Sequence, residues 1–286
     1  MTSAFGDVDV SVVPRVYGAS ELGVLAITAP GAAHPRVEYV GGELFVGLDE
    51  EDGGRAVTQG QAEGWSRPFR DVVAAAVSAE TLPEPEDGMI LVENEALASA
   101  VLLDTGRSAS APLTGAPVVF ALSRDRLVLV GADDESAVAR VLDLAEELFD
   151  AGGPLVSAHP VALADDGWVP FPWIERFPAL EPRVQRVLRL FGVRAYEMQT
   201  ASLQRPDVHL ADPKIHVRDD GVTLTFATWP KGTATLLPVV DNVVVADPSG
   251  TISVATMNEF LDAAGDAVVR TGLSPARYFV PGDQPR

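Results

Sequence analysis

The clearest pattern of apolar and polar positions lies in the middle of the chain. Two short apolar runs, Pro117–Leu122 and Leu127–Val130, are separated by a few polar residues, which is typical of a β-hairpin. Apolar residues at helical spacing follow, from an expected N-cap at Asp133 to a break at Gly152–Pro154. The chain then returns as a strand over Leu155–Leu163. This order predicts a sheet with a helix packed against it.

The chain before this stretch is also rich in strand patterns. Strands are predicted at Val8–Val16, Leu22–Thr28, Val37–Val40, Glu43–Val46 and Met89–Val92. A Gly-Gly pair separates the third strand from the fourth, and a two-residue glycine loop is a strong hairpin signal. Arg67–Ala79 has one apolar face and predicts a helix, while Ala96–Leu103 suits either a short helix or extended chain. Leu48–Gly60 and Thr105–Gly115 are predicted as loops.

The last third of the chain shows a second set of elements. A helix is expected to begin near Glu181 and to end at Gly192, with a strand over Tyr196–Leu203 after it. Lys214–Arg218 and Val222–Phe226 alternate around a polar turn and predict a hairpin. Further strands, expected to extend the same sheet, are Thr233–Val240 and Val243–Ala246. Thr256 and Glu259 form a capping-box pattern for a helix that is expected to end at Arg270 and Gly272.

These elements predict an α+β protein of two domains, each a mainly antiparallel sheet with packed helices. A length of 286 residues agrees with two domains. The segment Trp168–Pro178 is rich in proline and aromatic residues, so it marks the expected boundary. The predicted domains are residues 1–170 and 171–286.

The first domain also resembles a known family. The resemblance rests on Glu43–Leu48 with the loop and helix after it, on Glu93–Leu103, and best on Val118–Val130; the acidic helix start, Gly152–Pro154, and Asp166–Trp168 with Pro170 follow in the family's order. By these segments, residues from about 37 to 170 resemble the YtpQ-like family of bacterial proteins of unknown function. The resemblance implies an α+β domain and no activity. The second half of the chain departs from the family.

Composition makes several classes of partner and of chemistry unlikely or impossible. The formal net charge of −20 opposes nonspecific binding to nucleic acid or anionic membrane, though it equally suits a solubility bias. The chain has no cysteine, which excludes disulfides, thiolate catalysis and cysteine-ligated metal centres. The segment Met1–Val10 lacks the pattern of a signal peptide, and no apolar run is long enough to span a bilayer. A cytoplasmic location is therefore expected, with no membrane or nucleic-acid partner.

Two groups of residues are candidates for binding. The aromatic residues of the boundary segment are Trp168, Phe171, Trp173 and Phe177. They are expected either to hold the two domains together or to form a contact surface for a protein partner. The arginines of the helix near residue 181 are Arg183, Arg186 and Arg189. They are expected either to pair with carboxylates of the chain itself or to dock an acidic partner or a second subunit.

No motif in the sequence specifies a reaction. His209, Asp212 and His216 lie close in sequence, but Pro213 and the neighbouring Lys214 oppose a metal site. There is no nucleophile elbow, phosphate loop or zinc-protease motif. We therefore expect a non-enzymatic protein-binding protein, of the adaptor, assembly or immunity type, without cofactor or metal. The alternative is a hydrolase or small-ligand-binding protein with a site between the domains, which would place His159 or His209 beside acids in a polar pocket.

Overall fold

The computed structural model describes residues 11–51, 54–203 and 205–282. They form an α+β fold, which confirms the predicted class, and the chain divides into two compact units, Met1–Glu181 and Pro182–Arg286. We call these unit 1 and unit 2. The division falls after the predicted boundary at residues 170 and 171, so the aromatic segment belongs to unit 1. Met1–Val10, including the start of the strand predicted at Val8–Val16, lies outside the described residues.

The described residues of unit 1 form two sheets, and helices connect several of the strands along the chain. Its strands are β1 (Val12–Gly18), β2 (Val37–Gly41), β3 (Leu44–Glu50), β4 (Met89–Val92), β5 (Pro117–Ala121), β6 (Leu127–Gly131), β7 (Val161–Ala164) and β8 (Gly167–Pro170). Its helices are α1 (Ala19–Thr28), α2 (Gln59–Glu63), α3 (Phe69–Ala75), α4 (Glu95–Leu103), α5 (Thr105–Ala109), α6 (Glu135–Asp150) and α7 (Trp173–Arg176), with 3₁₀ turns at Gly31–Ala33 and Pro178–Leu180.

Both sheets of unit 1 are antiparallel. One has the strand order β1-β3-β2 and the other β4-β6-β5-β7-β8. The two predicted hairpins are confirmed, since β2 pairs with β3 and β5 with β6. The first turns at Gly42, whose φ of 57° favours glycine. One apolar core contains side chains from both sheets, including Leu44 and Leu129, so the sheets form a single packed body.

Helix α6 begins one residue later than its sequence suggests. Asp134 is the N-cap, because its Oδ1 accepts the backbone N–H of Ala137 at 2.8 Å. This hydrogen bond lowers the pKa of Asp134. The predicted cap, Asp133, instead pairs with Arg176. Of the predicted apolar face, Val138, Val141, Leu142 and Ala145 are buried, whereas Leu148 and Phe149 in the last turn are half-buried.

Several other expectations for unit 1 are corrected. The apolar run Leu22–Thr28 belongs to helix α1 and not to a strand. The strand prediction failed because a short apolar run has no periodicity that distinguishes a strand from a helix. Strand β3 extends to Glu50 and α2 begins at Gln59, so both enter the predicted loop Leu48–Gly60. Strand β7 begins only at Val161.

The helices around residues 69 and 95 also differ in detail. Helix α3 covers Phe69–Ala75, a shorter range than predicted. Of the two forms considered for the segment after Asn94, the helix is observed, because the Asn94 side chain accepts the N–H of Leu97 at 2.9 Å and caps it. Part of the loop predicted at Thr105–Gly115 forms helix α5.

Unit 2 begins with a long helix. Its helices are α8 (Glu181–Ser202) and α9 (Met257–Ala264), with a 3₁₀ turn at Gly265–Ala267. Its strands are β9 (His209–Leu210), β10 (Lys214–Val217), β11 (Thr223–Pro230), β12 (Thr235–Pro238), β13 (Asn242–Ala246), β14 (Ile252–Thr256), β15 (Val269–Arg270) and β16 (Arg277–Val280).

Helix α8 overturns two expectations. It continues through Gly192, which is not a cap, and it includes most of the strand predicted at Tyr196–Leu203. Val193, Tyr196 and Gln199 are buried at helical spacing, so tertiary packing on this face outweighs the weak helix propensity of glycine.

The strands of unit 2 form two sheets. The order of one is β10-β11-β13-β14, and that of the other is β15-β16-β12-β9. The predicted hairpin of β10 and β11 is confirmed. The expectation that Thr233–Val240 extends this sheet is wrong, because β12 pairs with β16 and β9. Two pairings are parallel, β11 with β13 and β12 with β9, and the others are antiparallel.

The capping box of α9 is confirmed. The backbone N–H of Thr256 donates to Glu259 at 2.8 Å, and the Thr256 hydroxyl accepts the N–H of Glu259 at 3.3 Å. The helix ends at Ala264, earlier than predicted, and Arg270 lies in strand β15. A second apolar core, with Trp229 against Phe260, lies under this helix.

Candidate binding surfaces

The aromatic segment is not an exposed contact surface. Less than a tenth of each side chain is accessible in Trp168, Phe171, Trp173 and Phe177. Trp168 donates its indole N–H to the carbonyl oxygen of Leu102 at 2.8 Å, and the rings of Trp173 and Phe120 lie 5.4 Å apart. Phe171 packs against Phe177. These contacts lie within unit 1, so the aromatic residues contribute to its packing.

The arginines of α8 are half-buried and bonded. Arg189 makes a two-pronged contact with Asp241, Nε to Oδ2 and Nη2 to Oδ1, both at 2.8 Å. Arg186 donates to the hydroxyl of Thr223 at 3.2 Å. Arg183 is also half-buried, and its side chain is not without a partner. For Arg189, pairing with a carboxylate of the chain itself is therefore the observed arrangement.

The contact of Arg189 with Asp241 connects α8 to the sheet that contains β11 and β13. Asp241 Oδ2 also accepts the backbone N–H of Thr225 at 2.7 Å and its hydroxyl at 2.8 Å. Burial alone raises the pKa of Asp241, but the hydrogen bonds from Arg189 and Thr225 outweigh it and hold the pKa below its usual range. The hydrogen bond with Asp241 raises the pKa of Arg189. The pair is structural in character.

Unit 1 contains a buried charged cluster that the sequence analysis missed. Asp49 accepts the hydroxyl of Tyr17 at 2.7 Å and guanidinium N–H groups of Arg15 at 3.4 Å and Arg124 at 3.1 Å. Arg15 also pairs with Glu21, at the start of α1. Burial raises the pKa of Tyr17 and of Glu21, although the arginines partly oppose it. The charges largely satisfy one another, so the cluster ties β1 to β3 and to the turn after β5.

Unit 2 buries a second arginine in a different way. Arg277 is fully buried, and its five N–H donors all meet neutral oxygens. The acceptors are Gln199 Oε1 at 2.6 Å, Ala211 O at 2.8 Å, Leu236 O at 3.0 Å, Tyr196 O at 3.4 Å and Thr200 Oγ1 at 2.7 Å. Burial lowers the pKa of Arg277. Both clusters carry one sequence signal, an arginine within an otherwise apolar strand.

His159 and Ser157 do not form a catalytic pair. His159 is exposed and its Nε2 lies 3.9 Å from Glu43 Oε1. Ser157 donates its hydroxyl to Glu43 at 3.1 Å and accepts the backbone N–H of His159, so its oxygen is not activated by the imidazole. Asp212 accepts a hydrogen bond from Thr200 at 2.9 Å. Within residues 11–51, 54–203 and 205–282, no group of three or more His, Cys, Asp or Glu residues could hold a metal ion.

Charge divides sharply between the two units. Residues 1–181 contain 30 acidic and 10 basic residues, whereas residues 182–286 contain 11 of each. The whole formal net charge of −20 therefore belongs to unit 1, and unit 2 is neutral. Sequence reasoning noted the total but missed this division, which a count on each side of the boundary shows.

Unit 2 exposes apolar residues on one edge strand. Ile252 and Val254, on edge strand β14, are 69% and 65% exposed. They share a face of the sheet with Val244 of the neighbouring strand, since residues directly opposite point the same way. The two units thus present surfaces of different chemistry, one strongly acidic and one neutral with an apolar stripe.

Comparison of the chain with protein-family models, curated proteins and solved structures finds no match. Within the part of the chain that the structure describes, no helix is both long and apolar enough to cross a bilayer.

Proposed function

We propose that the chain is a non-enzymatic protein-binding protein, of the adaptor, assembly or immunity type, and that unit 1 binds a basic partner. The observation that carries the proposal is the concentration of the entire net charge in unit 1. Such a surface attracts a partner of opposite charge and favours fast association. We further propose a cytoplasmic location. The resemblance of residues 37–170 to the YtpQ-like family stays a prediction and adds no activity.

Helix α6 is the part of unit 1 that we assign to this contact. Its acidic residues away from the core are Glu135, Asp143, Glu146, Glu147 and Asp150, against a single arginine, Arg140. Glu147 and Asp150 lie in the last turn, where the helix dipole disfavours negative charge by about 0.3–1 kcal/mol each. Local rules of stability are most often broken where function requires it, so these two acids support the assignment.

The experiment is a capture assay with the tagged full chain, with partners identified by mass spectrometry at low and moderate salt. We expect a basic protein that binds at low salt and is lost as salt rises, because salt screens exposed charges. The combined substitutions Glu135→Gln, Glu147→Gln and Asp150→Asn should abolish capture. The same substitutions should leave the fold intact and raise the free energy of unfolding by about 0.5 kcal/mol, since the gain from removing two acids at the helix C-terminus exceeds the loss of Glu135 from the first turn.

The matched control removes the same charge from unit 2. Asp219→Asn, Asp262→Asn and Asp266→Asn alter exposed acids there and should leave capture unchanged. Equal loss of binding in both triple variants would show that total charge, and not α6, attracts the partner. Capture of no basic protein at either salt concentration would contradict the proposal itself.

A further inference from the structure

The sheet of unit 2 with the strand order β10-β11-β13-β14 has two edges that differ in charge and proline content. At one edge, β10 has the sequence Lys-Ile-His-Val and is flanked by Pro213 and Arg218, and such charges and prolines protect sheet edges from pairing with other strands. At the other edge, β14 has the sequence Ile-Ser-Val-Ala-Thr, without charge or proline. Strand β14 is therefore an unprotected edge.

The hydrogen-bond ladder shows which backbone groups of β14 face outward. Asp247 N–H donates to the carbonyl oxygen of Thr251 at 2.9 Å, and Met257 N–H donates to that of Asp241 at 3.0 Å. Bonded pairs in an antiparallel ladder recur at every second residue, so Ser253 and Ala255 also face β13. The N–H and C=O groups of the residues between them therefore point to the open edge.

Only a short window of this edge is available for pairing. Thr256 also faces outward, but its N–H is already bound to Glu259 in the capping box. The turn at Gly250 closes the other end. Ile252 and Val254 remain, each with one donor and one acceptor directed away from β13. Among the described residues, no strand pairs with this side of β14.

We propose that this edge pairs with β14 of a second copy of the chain, in antiparallel register about a two-fold axis at Ser253. This register sets Ile252 opposite Val254 of the other copy, and the converse, so all four outward groups of each strand form hydrogen bonds. Ser253 then faces its own equivalent. The two sheets become one eight-stranded sheet, and the exposed apolar stripes of Ile252 and Val254 meet on one face.

The distribution of charge favours a second copy of the chain as the partner of β14. A copy of this chain could not approach through unit 1 without strong repulsion, because unit 1 carries the whole charge of −20. Unit 2 is neutral, and the window Thr251–Thr256 contains no charged residue. A self-complementary, uncharged strand in a neutral unit is suited to a second copy. This inference does not depend on the basic partner of unit 1.

The first test measures the mass of the full chain by sedimentation equilibrium across a range of concentrations. Since one strand pair is a small interface, we expect a dissociation constant on the order of 10 µM. Added salt should not weaken the association, because the paired window Thr251–Thr256 contains no charged residue. Val254→Lys should weaken association at least tenfold, while Val269→Lys, on an exposed edge of the other sheet, should not. A wild-type chain that stays monomeric up to about 500 µM would overturn the proposal.

The second test uses the absence of cysteine in the chain. In the proposed register, Ser253 and its equivalent form a non-bonded pair with Cα atoms about 4.5 Å apart, which a disulfide can span. Ser253→Cys should therefore give a covalent dimer under mild oxidation. Ser249→Cys, exposed in the adjoining turn, would lie far from its equivalent and should remain monomeric. Equal cross-linking of both variants, or of neither, would refute this register whatever the behaviour of Val254→Lys.

Discussion

The two units bury an arginine by opposite means. In unit 1, Arg15 meets the carboxylates of Asp49 and Glu21. In unit 2, Arg277 meets only neutral oxygens, and the nearest acid in its network, Asp212, is reached through the hydroxyl of Thr200. Unit 1 is strongly acidic, and its buried arginine pairs with acids. Unit 2 has no net charge, and its buried arginine bonds to neutral groups.

The difference shows what a buried cation requires. Removal from water is unfavourable for a guanidinium unless its donors are all satisfied. Carboxylates compensate for this cost with few groups through the attraction of opposite charges, and Arg15 is buried although its Nε has no hydrogen-bond partner among the described residues. Neutral acceptors compensate for it only if several converge, and for Arg277 they come from α8, the segment after β9 and strand β12. Arg277 therefore holds together more of its unit than Arg15 does.

Replacement of Arg277 should have the largest effect. Arg277→Met would remove five buried hydrogen bonds at once, so we expect the free energy of unfolding to fall by about 4 kcal/mol. Arg277→Lys keeps the charge but cannot match the planar fork, and about half that loss is expected. Urea denaturation gives the magnitude, and hydrogen exchange should assign the lost protection to residues 182–286. A loss below about 1 kcal/mol for Arg277→Met would show that the network contributes little.

Replacement of Asp49 should have the next largest effect. Asp49→Asn would keep the shape but remove the carboxylate that Arg15 and Arg124 share, so a loss of about 3 kcal/mol is expected in urea denaturation. The control is Asp133→Asn, which breaks an exposed ion pair with Arg176 in the same unit and should cost less than about 1 kcal/mol. Similar losses in the two variants would mean that burial does not distinguish the Asp49 cluster.

The sequence predicts those features that neighbouring residues determine. The hairpin at Gly41–Gly42 and the capping box at Thr256 were both predictable, because glycine and capping side chains act within a few residues. The extent of α8 was not. Gly192 is a reasonable helix stop by local rules, and only contacts such as Gln199 with Arg277, 78 residues apart, explain why the helix continues.

The candidate sites follow the same division. The aromatic residues near Trp168 were expected either to hold the two domains together or to form a contact surface. Their burial within unit 1 is a property of the whole fold, and composition does not reveal it. The outward groups of β14 follow from the pairing of β13 with β14, which local pattern does not specify. The charge division needs only the domain boundary, so sequence counting could have found it.

The smallest effect expected is one of pH, and its sign should differ between the units. Burial raises the pKa of Glu21, so the folded state of unit 1 holds this proton more tightly than the unfolded chain does. Its stabilising contribution is complete below the unfolded pKa of about 4.3 and is lost as pH rises through the folded pKa. The pKa of Asp241 is lowered in unit 2, since hydrogen bonds from Arg189 and Thr225 outweigh burial. Its contribution is present above an unfolded pKa of about 3.9 and is lost as pH falls.

Two variants separate these effects in unfolding experiments between about pH 3 and pH 7. The stability of the wild type relative to Glu21→Gln should increase as the solution becomes more acidic. Relative to Asp241→Asn it should decrease over the most acidic part of the range. The stability difference between the wild type and each variant, plotted against pH, has a slope that reports the proton of one residue. The amide of the variant cannot titrate, and all other titrating groups are the same in both proteins. Slopes of the same sign would mean that the arginines, rather than burial, govern Glu21, and the contrast between the carboxylates of the two units would then fail.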